Sequence, residues 1–198
     1  MILEKIVCNF MGTNCYLFGD SNSKEIAIID PGGNPVMINN RINSRDYKPK
    51  CIILTHGHPD HTGAANLVRR EWDIPIFHHP KESPLIDFRD TKSIKEPDVV
   101  KIGSEELHVL DTPGHSPGGI CLASYDNKIL FTGDTLFRSS IGRTDLGGGS
   151  FDRLMNSIKT KIMRNPKISD DFKIYPGHMD ESTIQTEKKA NMYRRDFL

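Results

Sequence analysis

Residues 54–63 read LTHGHPDHTG, a stretch that places His56, His58, Asp60 and His61 within six consecutive positions. The run before them, CIILT at 51–55, is apolar and rich in β-branched residues, as a buried strand would be. Side chains two apart in extended chain point to the same side. His56 and His58 can therefore reach one cation. Pro59 is expected to turn the chain into a helix, which aims Asp60 and His61 at a neighbouring point. A lone histidine is usually a satisfied core or surface residue. Two differently directed ligand pairs point instead to two adjacent metal sites.

Neither pair closes a coordination sphere, because a catalytic zinc takes three protein ligands and a water. The pattern of an apolar run leading into Gly, Pro, His or Asp recurs along the chain: IAIID at 26–30, LHVLDT at 107–112, KILFT at 128–132 and FKIYP at 172–176. Three of the segments that follow these runs supply His115, Asp134 and His178, each beside glycine, which permits close backbone packing. The candidate set is thus His56, His58, Asp60, His61, His115, Asp134 and His178, with Asp134 as the shared carboxylate. Five neutral imidazoles and two carboxylates carry a formal −2 against +4 from two divalent ions, so the centre stays a Lewis acid even with a shared hydroxide. Metals about 3.5–4 Å apart can share a carboxylate and a water, and zinc can lower a bound water's pKa to about 7. A purely structural zinc needs only four ligands, often cysteines. Here Cys8, Cys15, Cys51 and Cys121 lie far apart with no C-x-x-C pair and read as buried, reduced thiols.

The wider chain is compatible with one domain spanning 1–198. Its 36% hydrophobic and 26% charged residues are ordinary globular composition. Lys plus Arg equals Asp plus Glu at 26 each, which gives no basic field for nucleic acid and no membrane-seeking tail. Glu4 and Lys5 interrupt the apolar segment an export signal would need, so the chain reads as cytoplasmic. Oligomeric state is not encoded in any feature of the chain. Helices are expected after Pro59, with Ala64, Leu67, Val68 and Trp72 as an apolar stripe. Another is expected over 150–164, capped by Ser150, with Phe151, Leu154, Ile158 and Ile162 on one face. A last one should begin near Ser182, which has capping-box spacing to Gln185. Residues 80–100 read as an irregular connection, and His78, His79 and His108 as bystanders. The alternation of strands and helices suggests a layered α/β domain with loops gathered on one rim. GHSPG at 114–118 matches the serine-hydrolase pattern, but Pro117 lacks the N–H that pattern needs for its oxyanion hole.

The H-x-H-x-D-H cluster with later TPGH, GDT and PGH segments resembles the metallo-β-lactamase superfamily. The resemblance runs from NCYLF at 14–18 through IDPGG at 29–33 to His178, and implies a four-layer αββα sandwich with the site along one rim. Within the superfamily, TPGHSPGGI and FTGDTLFRSSIGRTDLGGGS are similar to glyoxalase II and the shorter hydroxyacylglutathione-hydrolase-like enzymes. That likeness implies two divalent ions, zinc first and iron or manganese as alternatives. His56, His58 and His115 would hold one ion, Asp60, His61 and His178 the other, with Asp134 bridging. It also implies a small-molecule thioester substrate such as S-lactoylglutathione, attacked by a metal-bound hydroxide that Asp60 orients. Arg143 falls where these enzymes keep a basic substrate contact, and its alternative is a surface pair with Asp145. Asp30 either braces a ligand or serves as a turn residue before Pro31. Only twenty residues follow His178, fewer than the helical domain with which full-length glyoxalase II helps bind glutathione, and this leaves the thiol portion open. The principal competitor is a persulfide dioxygenase, which shares a GRTD segment and uses one iron and oxygen. A β-lactamase is disfavoured because Asp134 stands where several such enzymes use cysteine, and a noncatalytic scaffold because all seven ligands are present.

Overall fold

The fold, described by a computed structural model of residues 1–198, is organised by two six-stranded sheets. The first runs in the order β1 (Ile2–Val7), β2 (Asn14–Gly19), β3 (Glu25–Ile29), β4 (Lys48–Ile53), β5 (Ile76–His78) and β6 (Lys92–Ser93). Its first three strands form an antiparallel meander and the rest continue in parallel. The second runs β14 (Ser182–Thr183), β13 (Lys173–Pro176), β10 (Ile129–Gly133), β9 (Ile120–Ser124), β8 (Glu105–Asp111) and β7 (Val99–Ile102), antiparallel except for the β10–β13 pair. A small hairpin joins β11 (Leu136–Phe137) to β12 (Ser140–Ile141).

Strand alternation builds the layers. In β2, Tyr16 and Phe18 enter the cluster between the sheets, with Ile29, Ile53, Val109, Leu122 and Phe131, whereas Leu17 points to the opposite face. That outer face is covered by α1 (Pro35–Ser44) and α3 (Ala65–Trp72), through Ile38, Ile42, Ala65 and Val68. The outer face of the second sheet is covered by α4 (Phe151–Ser157) with its π-helical continuation Ile158–Met163, and by α5 (Ile184–Ala190) and α6 (Arg194–Phe197). The result is the αββα sandwich that the resemblance implies. Because both faces of each sheet are buried, β2, β9 and β10 are buried at every position.

Several local expectations need correction. Leu67 is exposed, because Pro59–Thr62 forms a separate helical turn, α2, and the buried face of α3 is set by Ala65 and Val68. Trp72 is partly buried and donates to Asn39 Oδ1 at 3.0 Å. Phe151 is also exposed, with the Tyr193 ring centroid 6.0 Å from its own. Ser150 does cap α4, accepting from Arg153 N. The cap of α5 is Thr183, which accepts from Thr186 N at 3.1 Å, while Ser182 lies in β14 and donates to Glu187. The irregular 80–100 stretch contains a 3₁₀ turn, Pro80–Leu85, as well as β6 and the start of β7. All four cysteines are free and buried. No helix is long and apolar enough to cross a membrane.

Candidate metal centre

Both sheets deliver loops to one rim. The segments after β4, β8, β10 and β13 carry the seven candidate ligands, and the sheets are tied together there by Ile120 N to Thr55 O at 2.9 Å and Tyr16 Oη to Pro176 O at 2.8 Å. The structure brings all seven side chains together. His56, His58 and His115 form one triad and Asp60, His61 and His178 another, each with ligand atoms within 4.8 Å of one another. In the first, ring centroids lie 4.6–4.8 Å apart. In the second, His178 Nε2 is 3.1 Å from Asp60 Oδ2 and 3.2 Å from His61 Nε2. Asp134 stands between them: Oδ1 is 3.3 Å from His61 Nε2, and Oδ2 is 3.5 Å from His115 Nε2 and 3.6 Å from His178 Nε2.

Hydrogen bonds behind the imidazoles fix where their lone pairs point. His61 Nδ1 donates to Asp30 Oδ2 at 2.9 Å, and His115 Nδ1 donates to the Arg143 carbonyl at 2.8 Å. Thr55 Oγ1 donates to Asp30 Oδ2 at 2.6 Å, so it can accept from His56 Nδ1 at 3.1 Å. In its neutral form each of these three rings turns an unprotonated Nε2 inward. Nε2 of His115 faces Nδ1 of His58 at 2.9 Å. His56 Nε2 and Asp134 Oδ1 are buried with no hydrogen-bond partner. A buried polar atom left unpaired costs about 1–3 kcal/mol. Converging lone pairs and carboxylate oxygens fit a cation, and this N/O donor set suits zinc, iron or manganese. Cysteine adds nothing to it, since burial pushes the Cys51 thiol up to about 12 and the Cys121 thiol to about 11.

The electrostatics agree with that fit. Burial, then the neighbouring His61, His115 and His58, holds His56 well below the usual imidazole range. Burial and His115 lower His58, against the pull of Asp134, Glu82 and Asp60. For His61 burial works downward, but Asp134 and Asp30 outweigh it and raise the group well above its ordinary value. His178 is raised as well, burial being outweighed by Asp60 and Asp134. Burial would raise Asp60, yet the hydrogen bond to His178 and the field of His61 bring it far below the carboxylate range. Asp134 is lowered by His61, His178 and His115 in spite of its burial. The raised His61 and His178 and the lowered Asp60 and Asp134 mark a site that favours added positive charge, which a divalent cation would supply.

Asp30 fills both of the roles open to it: it turns the chain at φ +50° and its carboxylate bonds Thr55 N, Thr55 Oγ1 and His61. Sequence reading missed Thr13 and Asn9, which hold Asp60 through Oδ2 at 3.2 Å and its carbonyl at 2.8 Å. It also missed Glu82. None of these lies in the repeated strand-end pattern, so only three-dimensional proximity reveals them. His78, His79 and His108 are outside both triads. A cleft of about 930 Å³ opens over the centre, with Val7, Met11, Phe137, Ile141, Leu146 and Met179 as its apolar wall. Arg143 reaches this cleft, but its guanidinium is exposed and gripped by both Asp145 oxygens at 2.7 Å, which lowers Asp145 to about 2.

The comparisons with known proteins agree with this architecture. The family model of the metallo-β-lactamase superfamily matches residues 8–178. The chain belongs to that superfamily. It is 34% identical over 211 residues to the hydroxyacylglutathione hydrolase GloC of Haemophilus influenzae, covering 98% of each chain. Among solved structures it superposes on the BLEG-1 B3 metallo-β-lactamase with a TM-score of 0.91 at 30% identity, covering 98% of this chain and 99% of that one. It superposes on TTHA1623, solved in a di-iron-bound form, with a TM-score of 0.86 at 27% identity, covering 96% and 99%.

Proposed function

We propose that this protein is a metal-dependent thioester hydrolase acting on small hydroxyacyl thioesters such as S-lactoylglutathione. The observation that carries the reading is Asp134 lying between two ligand triads at the floor of an apolar cleft. The likeness to a hydroxyacylglutathione hydrolase along the whole chain supports the choice of substrate. His56, His58 and His115 would hold one divalent ion and Asp60, His61 and His178 the other, with Asp134 shared; zinc is the first candidate, and iron or manganese suit the same donors. Such ions, when bound, supply Lewis acidity and an ionised water at neutral pH.

The chain's own residues do the rest. Asp60, whose carboxylate and carbonyl are anchored by Thr13 and Asn9, would both help hold an ion and orient the attacking water. The apolar wall of Val7, Met11, Phe137 and Met179 offers apolar surface against which the acyl group would pack. The leaving thiol has a pKa near about 8.5 and departs as thiolate, so no strong general acid is required. Arg143, at the cleft, binds a substrate carboxylate by sharing the fork it now gives to Asp145. Residues 1–198 act as one catalytic domain with a small molecule as partner and no nucleic acid or membrane. Four free thiols support a cytoplasmic setting.

Elemental analysis of freshly purified protein, followed by S-lactoylglutathione hydrolysis with and without chelator, tests the proposal. Two metals per chain and chelator-sensitive cleavage are expected. No thioester cleavage with both metals loaded would overturn it. A second reading, a persulfide dioxygenase, draws on the GRTD segment at 142–145 that those enzymes share and on a donor set that suits iron as well as zinc. It predicts one iron per chain and oxygen uptake with a persulfide.

A further inference from the structure

Glu82 lies in the 3₁₀ turn Pro80–Leu85 and is 0% exposed. Glutamate is almost never fully buried without partners. Its partners here are two backbone amides: Oε2 accepts from Gly57 N at 2.7 Å and Oε1 from Gly118 N at 2.5 Å. Gly57 separates His56 from His58, and Gly118 lies three residues beyond His115. One carboxylate therefore ties together the two loops that furnish a single triad. Both loops approach it as bare backbone. A Cβ on Gly57 would stand 2.8 Å from Leu85 Cβ and 3.1 Å from Glu82 Oε2, and one on Gly118 would run into His79 Nδ1 and lie 3.0 Å from Glu82 Oε1.

The charge matters as much as the span. Acceptance through both oxygens is the pattern of an ionised carboxylate. No Lys, Arg or His nitrogen stands within 4.0 Å of it to form an ion pair. A buried charge is costly unless a counter-charge is near. The triad beside it consists of three imidazoles; the other carboxylates near it are the shared Asp134 and Asp30, which is bonded to Thr55 behind His56. In the other triad, Asp60 is itself a ligand and Asp30 stands behind His61.

We propose that Glu82 is a positioning residue for the His56, His58 and His115 triad: it fixes the two ligand loops relative to each other and places a carboxylate behind three imidazoles, which favours a divalent cation there. This rests on the reading that the triad holds a metal.

The test is a zinc titration of metal-free full-length protein against a chromophoric chelator, for wild type, Glu82→Gln and Glu82→Asp, with thermal melting of each with and without zinc. Wild type should bind two equivalents. Glu82→Gln should weaken one of them by about 10–100-fold and leave the other unchanged, and the zinc-induced rise in Tm should shrink. Glu82→Asp keeps the charge on a shorter arm and should recover part of the loss. It also carries the comparison if the Gln variant does not fold. In a His58→Ala background, which already removes a ligand of that triad, Glu82→Gln should add no further loss. Equal weakening of both equivalents, or none, overturns the proposal, because a merely structural brace would not discriminate between them. Wild-type protein that takes up no zinc overturns the metal-centre reading itself, and this one with it.

Discussion

Asp30 Oδ2 receives Nδ1 of His61 at 2.9 Å, from a backbone turned at φ +50°, and the same oxygen receives the Thr55 hydroxyl that stands behind His56. One carboxylate thus orients a ring in each triad without facing the cleft. Asp30→Asn should keep the fold's hydrogen-bond geometry in part but present an amide where two donors arrive. Metal affinity should fall by about 10–100-fold, read by chelator competition, with the larger loss in the equivalent held by His61. Unchanged affinity for both metals would remove Asp30 from the account.

Asp134 is the residue whose loss both triads should feel, since its two oxygens face His61 on one side and His115 and His178 on the other. Asp134→Ala should abolish turnover and reduce bound metal below two per chain. Near-normal hydrolysis with full metal content in that variant would rule out a bridging role.

Gly177 packs where only backbone fits, as a Cβ there would run into Asp134 Oδ1 and His61 Cε1. Its amide also bonds Gly133 O at 2.8 Å. Gly177→Ala should leave the secondary structure unchanged by circular dichroism while lowering metal content and activity together. A variant with wild-type metal loading would show that the rim yields more easily than close packing implies.

How much of this could be read without coordinates depends on whether the signal is local. His56, His58, Asp60 and His61 sit together in the chain, and His115, Asp134 and His178 each follow an apolar run, so the seven candidate ligands were legible from strand ends, whereas their division into two triads came from the family resemblance. β3, β4, β8, β10 and β13 were legible from the same apolar runs, whereas the fully buried β2 and β9 were not singled out. β1 was not, because as an edge strand it carries Glu4 and Lys5 and is only partly buried. Nor was the exposure of Leu67, since helical spacing cannot say where α2 stops and α3 starts. Glu82 is the clearest case: its two bonds span 25 and 36 residues of sequence. No pattern within its own segment distinguishes it from the surface charges around it.

Proton linkage gives a sign that can be checked. In the metal-free chain His61 and His178 have raised pKa values, so the stability they contribute is complete below the ordinary imidazole range and is lost as pH rises through their folded values. Metal competes with those same protons and binds better as pH rises. The gap in Tm between metal-loaded and metal-free protein should therefore widen from about pH 6 to about pH 9. A gap that narrows over that interval would mean that the imidazoles are not the groups exchanging protons for metal.

Arg143 separates substrate contact from framework, because its backbone carbonyl holds His115 Nδ1 while its side chain is exposed and paired only with Asp145. Arg143→Ala keeps the carbonyl and removes the guanidinium. Stability should change by no more than about 0.5 kcal/mol, as for other surface substitutions. For a thioester carrying carboxylates, KM should rise severalfold with kcat nearly unchanged, the signature of lost uniform binding. For an uncharged thioester of the same acyl group neither constant should move. Equal effects on both substrates would assign the arginine to holding the 142–149 loop, and an unchanged KM for the charged one would leave it a surface partner of Asp145.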